Sequence, residues 1–222
     1  PCVEAVAGTS VLPGNDGNVS GYLVEGQQRP AHEIELPRAR YRLVTADYFA
    51  TVRIPLKAGR LFDDTLDQPK TTRVAVVDEA MAVRSFGSAT AALGKRLTNY
   101  DHDKAPPADP AKSDPEPRFV EIVGVVGSIR HRLDRSTPEP TVYFSQKQNP
   151  TNFLSIVLRT QGEPTRLLHD NSVRDAVLAV NRGIPIYNPL RLEDVLMRGE
   201  TVWPRKFFGW LFTVFGGVAL FL

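Results

Sequence analysis

The sequence predicts an α+β fold in three consecutive parts, a strand–helix start, a strand-rich module from about Gly59 and a strand–helix–strand unit, with the start of a membrane helix at the end. Three observations predict it. Strand-like apolar runs alternate with short helices before about Gly59 and again after Gln148. The stretch between them is dominated by β-branched apolar runs such as Val74-Ala75-Val76-Val77 and Ile122-Val123-Gly124-Val125-Val126. Finally, Phe207 to Leu222 carries no charge at all.

The first strand runs from Val3 to Val11 and stops at the turn cluster Leu12-Pro13-Gly14-Asn15-Asp16-Gly17. Gly21 to Val24 is a short strand. In Ala39 to Val44, Arg40 and Arg42 alternate with Tyr41 and Leu43, the period of a strand with one face in water. Thr45 is placed to cap a helix from Ala46 to about Val52, with Asp47 in its first turn, and Ile54-Pro55 stops it. A second module begins near Gly59. Arg73 to Val77 reads as a buried strand, and Asp78 caps a helix running through Ala82 to Phe86. Ala91 to Thr98 leads into a further strand. Tyr100 to Arg118 holds five prolines and few apolar residues, so it is expected to be a solvent loop. Phe119 to Val126 and Thr141 to Ser145 are strands.

The third part is a strand–helix–strand unit. Phe153 to Arg159 is the strand, and Gly162-Glu163-Pro164 opens the helix. Leu168, Val173, Val177 and Val180 form its apolar face, with Asp170 and Arg174 paired on the other. Gly183 ends it, Ile184 to Tyr187 returns as a strand, and Glu193 to about Arg198 is a short helix.

The final run is somewhat short of the roughly 20 apolar residues a bilayer span requires. It is read as the opening turns of a membrane helix in a longer protein. Trp203 and Trp210 bracket its start as interfacial aromatics do, with Pro204 and Phe207 at the entry. Gly209, Thr213 and Gly217 recur every four residues, a spacing that lets a second helix approach closely. Arg198, Arg205 and Lys206 flank the run; positive flanks favour the cytoplasm, but large domains cross regardless of charge, so the side stays open on this ground.

Of the 222 residues, 42% are apolar and 23% charged, as in globular domains, and the net charge of +2 gives no field for nucleic acid. The single cysteine, Cys2, excludes an internal disulfide framework. Catalytic and ligand-binding patterns fail on inspection. Gly94-Lys95 is followed by Arg96, and Ala89 stands where a phosphate loop has its first glycine. Gly8-Thr9-Ser10 lacks the second glycine of a nucleophile elbow. Gly124-Val125-Val126-Gly127 follows a strand and is filled with valine, unlike a nucleic-acid-clamping loop. His32, His102, His131 and His169 have no partner at metal-ligand spacing; Asp101-His102-Asp103 sits in the proline-rich loop, and Arg130-His131-Arg132 reads as a solvated basic edge. Asp63-Asp64 is read as solvated. No catalytic, cofactor or metal site is assigned.

Several motifs resemble one family. Tyr48-Phe49, Ile54-Pro55-Leu56, Gly59-Arg60 and Phe62 are similar to the "YF…GIPL..GR.F" signature of MacB-like periplasmic domains in bacterial ABC transporter permeases. Val74-Ala75-Val76-Val77-Asp78-Glu79 with Ala82, Arg84, Phe86 and Gly94-Lys95-Arg96-Leu97 continues the resemblance. So do Glu121-Ile122-Val123-Gly124-Val125-Val126-Gly127 with Arg130 and His131, Pro140-Thr141-Val142-Tyr143, and the strand from Val157 to Arg159. The group it resembles most is the FtsX-like permeases, described as macrolide-export or acidobacterial-type. Arg53, Asp78 and Ser145 depart from it, standing where glycine, asparagine and proline are common.

The resemblance implies a split porter-like βαβ lobe, residues 1–58 and 149–202, around a mixed, β-rich sabre-like insertion, residues 59–148, with the transmembrane helix starting in 203–222. It implies an extracytoplasmic domain in the bacterial inner membrane that couples ATP hydrolysis to efflux or periplasmic work by mechanotransmission. Its partners would be a cytoplasmic ATP-binding subunit, a second permease copy, and a periplasmic adaptor or substrate. The coupling residues would be Trp203, Pro204, Phe207, Gly209, Trp210, Thr213 and Gly217. The competing expectation is a membrane-anchored extracytoplasmic sensor or interaction domain without transport activity.

Overall fold

The computed structural model describes residues 3–15, 17–28, 30, 32–99, 119–130, 137–162, 164, 167, 171–183, 185 and 190–198. Nine strands join in one sheet: β1 (Val3–Thr9), β2 (Asn18–Val24), β3 (Arg38–Val44), β4 (Leu56–Gly59), β5 (Val74–Asp78), β6 (Arg96–Asn99), β7 (Val120–Val126), β8 (Thr141–Ser145) and β9 (Ser155–Thr160). The helices are α1 (Tyr48–Val52), α2 (Glu79–Phe86), α3 (Ala89–Ala92), α4 (Ser172–Val180) and α5 (Leu192–Arg198), and one 3₁₀ turn spans Glu33–Glu35. The α+β class expected from the sequence is the one observed.

The sheet order is β2-β6-β7-β5-β8-β3-β1-β9, with β4 also on β7. The two halves of β2 pair with different strands. Asn18 to Gly21 ladders with β3, and Tyr22 to Val24 ladders with β6. Six strands therefore close into a ring, which removes their free edges. β1 and β9 form a two-stranded wing, joined to the ring through the pair Thr9↔Val44. Strands of residues 1–58 thus share ladders with strands of 59–148, in β2–β6, β3–β8 and β4–β7.

Apolar alternation explains the ring's two buried faces. In β5, Ala75 and Val77 join one cluster with Tyr41, Leu97, Ile122, Val125, Val142 and Phe144, closed by Met81 and Ala82 of α2. Val74 and Val76 face a second cluster with Tyr48, Phe49, Phe62, Val126 and Tyr143. A strand buried on both sides reads as a continuous apolar run, which is what β5 and β7 show. Tyr41 stacks on Phe144 at 5.6 Å, and Phe49 meets Tyr143 edge-on at 5.0 Å.

Two local expectations change. Arg40 and Arg42 alternate with Tyr41 as expected, but their face is covered rather than solvated, and both are buried. A buried guanidinium needs partners. Arg40 pairs with Glu139, and Arg42 donates to backbone carbonyls described below. Thr45 does not cap α1, because its Oγ1 accepts instead from the Gly8 N–H at 2.9 Å; the helix begins at Tyr48, later than expected. It ends at Arg53, whose φ of 58° is left-handed, the conformation that explains why glycine is common there. Asp78 does cap α2, accepting from the Met81 N–H at 2.9 Å.

β4 is an element that the apolar pattern does not announce. Its Gly59, at φ 73°, lies where a Cβ would collide with the Val123 carbonyl oxygen, so only glycine permits this close pairing with β7. The proline-rich segment 100–118, Leu168, Asp170, Ile184, Ile186, Tyr187 and residues 199–222 lie outside the described residues. Among the described residues no helix is long and apolar enough to cross a membrane.

Candidate functional site

The place where α5 meets the rest of the fold is built by three pieces of chain. The turn after β1 passes Gly14 with φ 87°, a conformation that L side chains avoid. A Cβ at Gly14 would collide with Leu196 Cδ2, and it would stand 3.4 Å from Leu196 Cγ and 3.9 Å from Leu196 Cα. The glycine therefore lets α5 lie directly on the turn. Beneath the turn sits Arg42 of β3, only 1% exposed. Its Nη1 donates to the Val11 carbonyl at 3.1 Å and its Nη2 to the Asn15 carbonyl at 3.0 Å. The Thr9 hydroxyl also donates to the Val11 carbonyl, at 2.9 Å. Two N–H bonds from a planar guanidinium fix orientation as well as position.

Arg42 continues inward to a polar seam in the second core cluster. It lies opposite Tyr143 in the parallel β3–β8 ladder. Tyr143 is fully buried, and burial drives its hydroxyl well above the ordinary phenol range, with the Tyr48 and Asp78 neighbours adding to the rise and Arg42 opposing it. Burial also raises the Tyr48 hydroxyl, partly offset by the Arg42 charge and the Thr9 hydroxyl. Asp78 is fully buried at the end of β5. Desolvation pushes its carboxyl up to about 6, against the backbone N–H groups of Thr141 and Met81 that its Oδ1 accepts. The Ser128 hydroxyl beside it lowers the value and Glu79 raises it. These groups brace packed elements: the Asp78 carboxyl, with the Ser128 hydroxyl beside it, caps α2 and holds the start of β8.

A separate ion pair orders the loop after β4. Arg60 Nη1 and Nη2 donate to Asp67 at 2.9 and 2.8 Å, and the Asp63 N–H adds a third bond. Burial pushes the Asp67 carboxyl up, but those bonds and the Arg60 charge outweigh it and hold it below the usual range. Gln148 ties the far end of the loop by accepting from the Val74 N–H and donating to the Gln68 and Thr72 carbonyls. Asp63 and Asp64 do not act as a pair: the Asp63 carboxylate caps the Thr65 and Leu66 N–H groups, and Asp64 accepts from Lys147 Nζ through its backbone carbonyl.

The residues expected to anchor and couple, Trp203, Pro204, Phe207, Gly209, Trp210, Thr213 and Gly217, lie outside the described residues, as do Asp101-His102-Asp103 and His131. Among the described residues no group of three or more His, Cys, Asp or Glu could hold a metal. Gly94 is a turn glycine at φ 72° before β6, as its failed phosphate-loop match implied. Sequence reading missed Arg42 and Leu196. The Gly14 signal, a glycine in a turn cluster, was legible, but its contact with a residue about 180 positions away along the chain was not.

No curated protein matches the chain. Among solved structures, it is similar to the periplasmic region of MacB from Actinobacillus actinomycetemcomitans, at 15% identity and TM-score 0.48, covering 80% of this chain and 67% of that one. A domain of a permease protein from Porphyromonas gingivalis is 19% identical, with TM-score 0.46 and coverage of 82% and 65%. The extracellular domain of the noncanonic ABC-type transporter YknZ from Gram-positive bacteria is 18% identical, with TM-score 0.44 and coverage of 82% and 96%. The chain thus spans about two thirds of the first two. The model of the MacB-like periplasmic core domain matches residues 1–175, most of the sequence, and the chain belongs to that family.

Proposed function

We propose that this chain is the extracytoplasmic domain of an ABC transporter permease in the bacterial inner membrane, and that it works by relaying movement rather than by catalysis. The observation that carries the reading is the family match over residues 1–175. The uncharged sequence from Phe207 to Leu222, following shortly after α5, supports it. In this reading a separate cytoplasmic subunit hydrolyses ATP. The helix starting near Phe207 carries the resulting displacement through Trp203 and Pro204 to α5, and the domain turns it into efflux or other periplasmic work. Gly209, Thr213 and Gly217 provide the close helix contact, and a second permease copy completes a dimer. A periplasmic adaptor or the substrate itself is the external partner. In this reading the ring, to which the porter-like segment 1–58 and the sabre-like segment 59–148 both contribute strands, moves as one body.

A relay requires stiffness. Two glycines inserted after Val202 in the full-length permease, assembled with its ATP-binding subunit, are expected to abolish transport while ATP hydrolysis continues and the domain's melting temperature is unchanged. Glycine is the residue that costs a chain least to bend. Normal transport by this variant would contradict the relay.

A further inference from the structure

Resting on the relay reading, we infer that Leu196 seats α5 on the Gly14 turn, and that this turn is the point where displacement of α5 enters the ring of strands through Arg42. The contact is close. Leu196 Cα would lie 3.9 Å from a Gly14 Cβ, so helix backbone and turn backbone are within one side chain's thickness. The turn is not a loose loop. Arg42 holds it at two carbonyls, Val11 before Gly14 and Asn15 after it, so a push on Gly14 acts on both bonds at once. Arg42 in turn belongs to the ring. Its strand ladders with β8 over five pairs from Arg40↔Thr141 to Val44↔Ser145, and Tyr143 opposite it packs on Tyr48 and Phe49. The route from α5 to the ring therefore consists of one apolar contact, two charge-assisted bonds and a ladder. Each of these resists displacement more than a solvated linker does.

Neither Leu196 nor Arg42 touches substrate in this account; both are positioning residues. The alternative is that α5 merely covers the turn and adds stability. The two differ in what nucleotide does. The test uses the full-length permease with its ATP-binding subunit and compares amide hydrogen exchange in the ADP state and the ATP–vanadate state, for the wild type, Leu196→Ala and Leu196→Met. In the wild type, exchange in the turn and β3 is expected to depend on nucleotide. In Leu196→Ala, the turn is expected to exchange about tenfold faster, the nucleotide dependence in β3 to vanish, and the β5 and β7 amides to stay protected. Leu196→Met, which keeps the volume, is expected to restore the wild-type dependence.

If Leu196→Ala leaves the nucleotide response of β3 intact, the seat is overturned while the relay stands. If the wild type shows no nucleotide response anywhere in the domain, the relay fails and the seat with it. Should Leu196→Ala unfold the domain, the response of Leu196→Met decides, and its loss in a folded protein overturns an inference based on apolar contact.

Discussion

The ring of six strands is held by different means from the β1–β9 wing and from α4. In the ring, β5 and β8 are buried along their whole length, and apolar clusters fill both of the sheet's faces. In the wing, β9 has no fully buried residue, and Val6 and Ile156 are half exposed; Val180 at the end of α4 is 87% exposed. No residue of α4 is buried, although Val173 and Val177 repeat at helical spacing. The contrast teaches where rigidity lies. The ring has the contacts to resist deformation by itself. The wing, with few buried groups, belongs to the low-stability end of the fold.

Deletion of core volume is the strongest way to break this comparison. Ile122→Ala in β7 removes a fully buried side chain and is expected to cost about 2–5 kcal/mol. Val177→Ala in α4 should cost under about 1 kcal/mol, because the side chain is only partly buried. Denaturant unfolding of the two variants measures both. Equal losses would erase the distinction between ring and α4.

A second test concerns the ring's buried charge. The Asp78 carboxyl titrates near 6 in the folded domain, above its ordinary 3.8, because burial disfavours the ion. The folded state then holds more protons than the unfolded state between those values, so stability falls as pH rises from about 4 to about 6 and levels off above. The difference is on the order of 3 kcal/mol. The groups facing it are Glu79 on α2, Tyr143 and the Thr141 N–H on β8, and Ser128 after β7. Asp78→Asn keeps an acceptor for the Met81 and Thr141 N–H groups without a charge. It is expected to be more stable than the wild type at pH 7 and to lose this part of the pH dependence. Parallel pH–stability profiles for the two proteins would contradict the assignment.

The smallest expected effect sits at the end of α1. Arg53→Gly relieves the left-handed strain at φ 58° but adds chain entropy to the unfolded state. The net expectation is a gain of about 0.5–1 kcal/mol, read as a rise in melting temperature. A loss would mean that the Arg53 side chain supplies packing that outweighs the strain.

These variants also mark what could be read in the sequence. The continuous apolar runs at β5, β7 and β8 and the Asp78 cap were legible, because burial on two faces and N-cap chemistry are local properties. Arg42 was misread for a physical reason. Alternation marks a charged residue as solvated, whereas its guanidinium here is satisfied by carbonyls about 30 residues away, which no local pattern reports. Thr45 was misread in the same way, its hydroxyl being taken by Gly8 of β1. The ring closure depends on β2 changing partners at Gly21 and Tyr22, a tertiary fact that strand propensity does not contain. At the candidate site the glycine was visible and its partner Leu196 was not.

The central claim is that ATP turnover on the far side of the membrane deforms this domain. The most direct measurement is the distance between paired spin labels, one at exposed Asn15 in the turn and one at exposed Thr137 ahead of β8, in the full-length permease with its ATP-binding subunit. The account predicts a shift of the distance distribution between the ADP and ATP–vanadate states, lost when two glycines follow Val202. Identical distributions in both states, with ATP being hydrolysed, would contradict it.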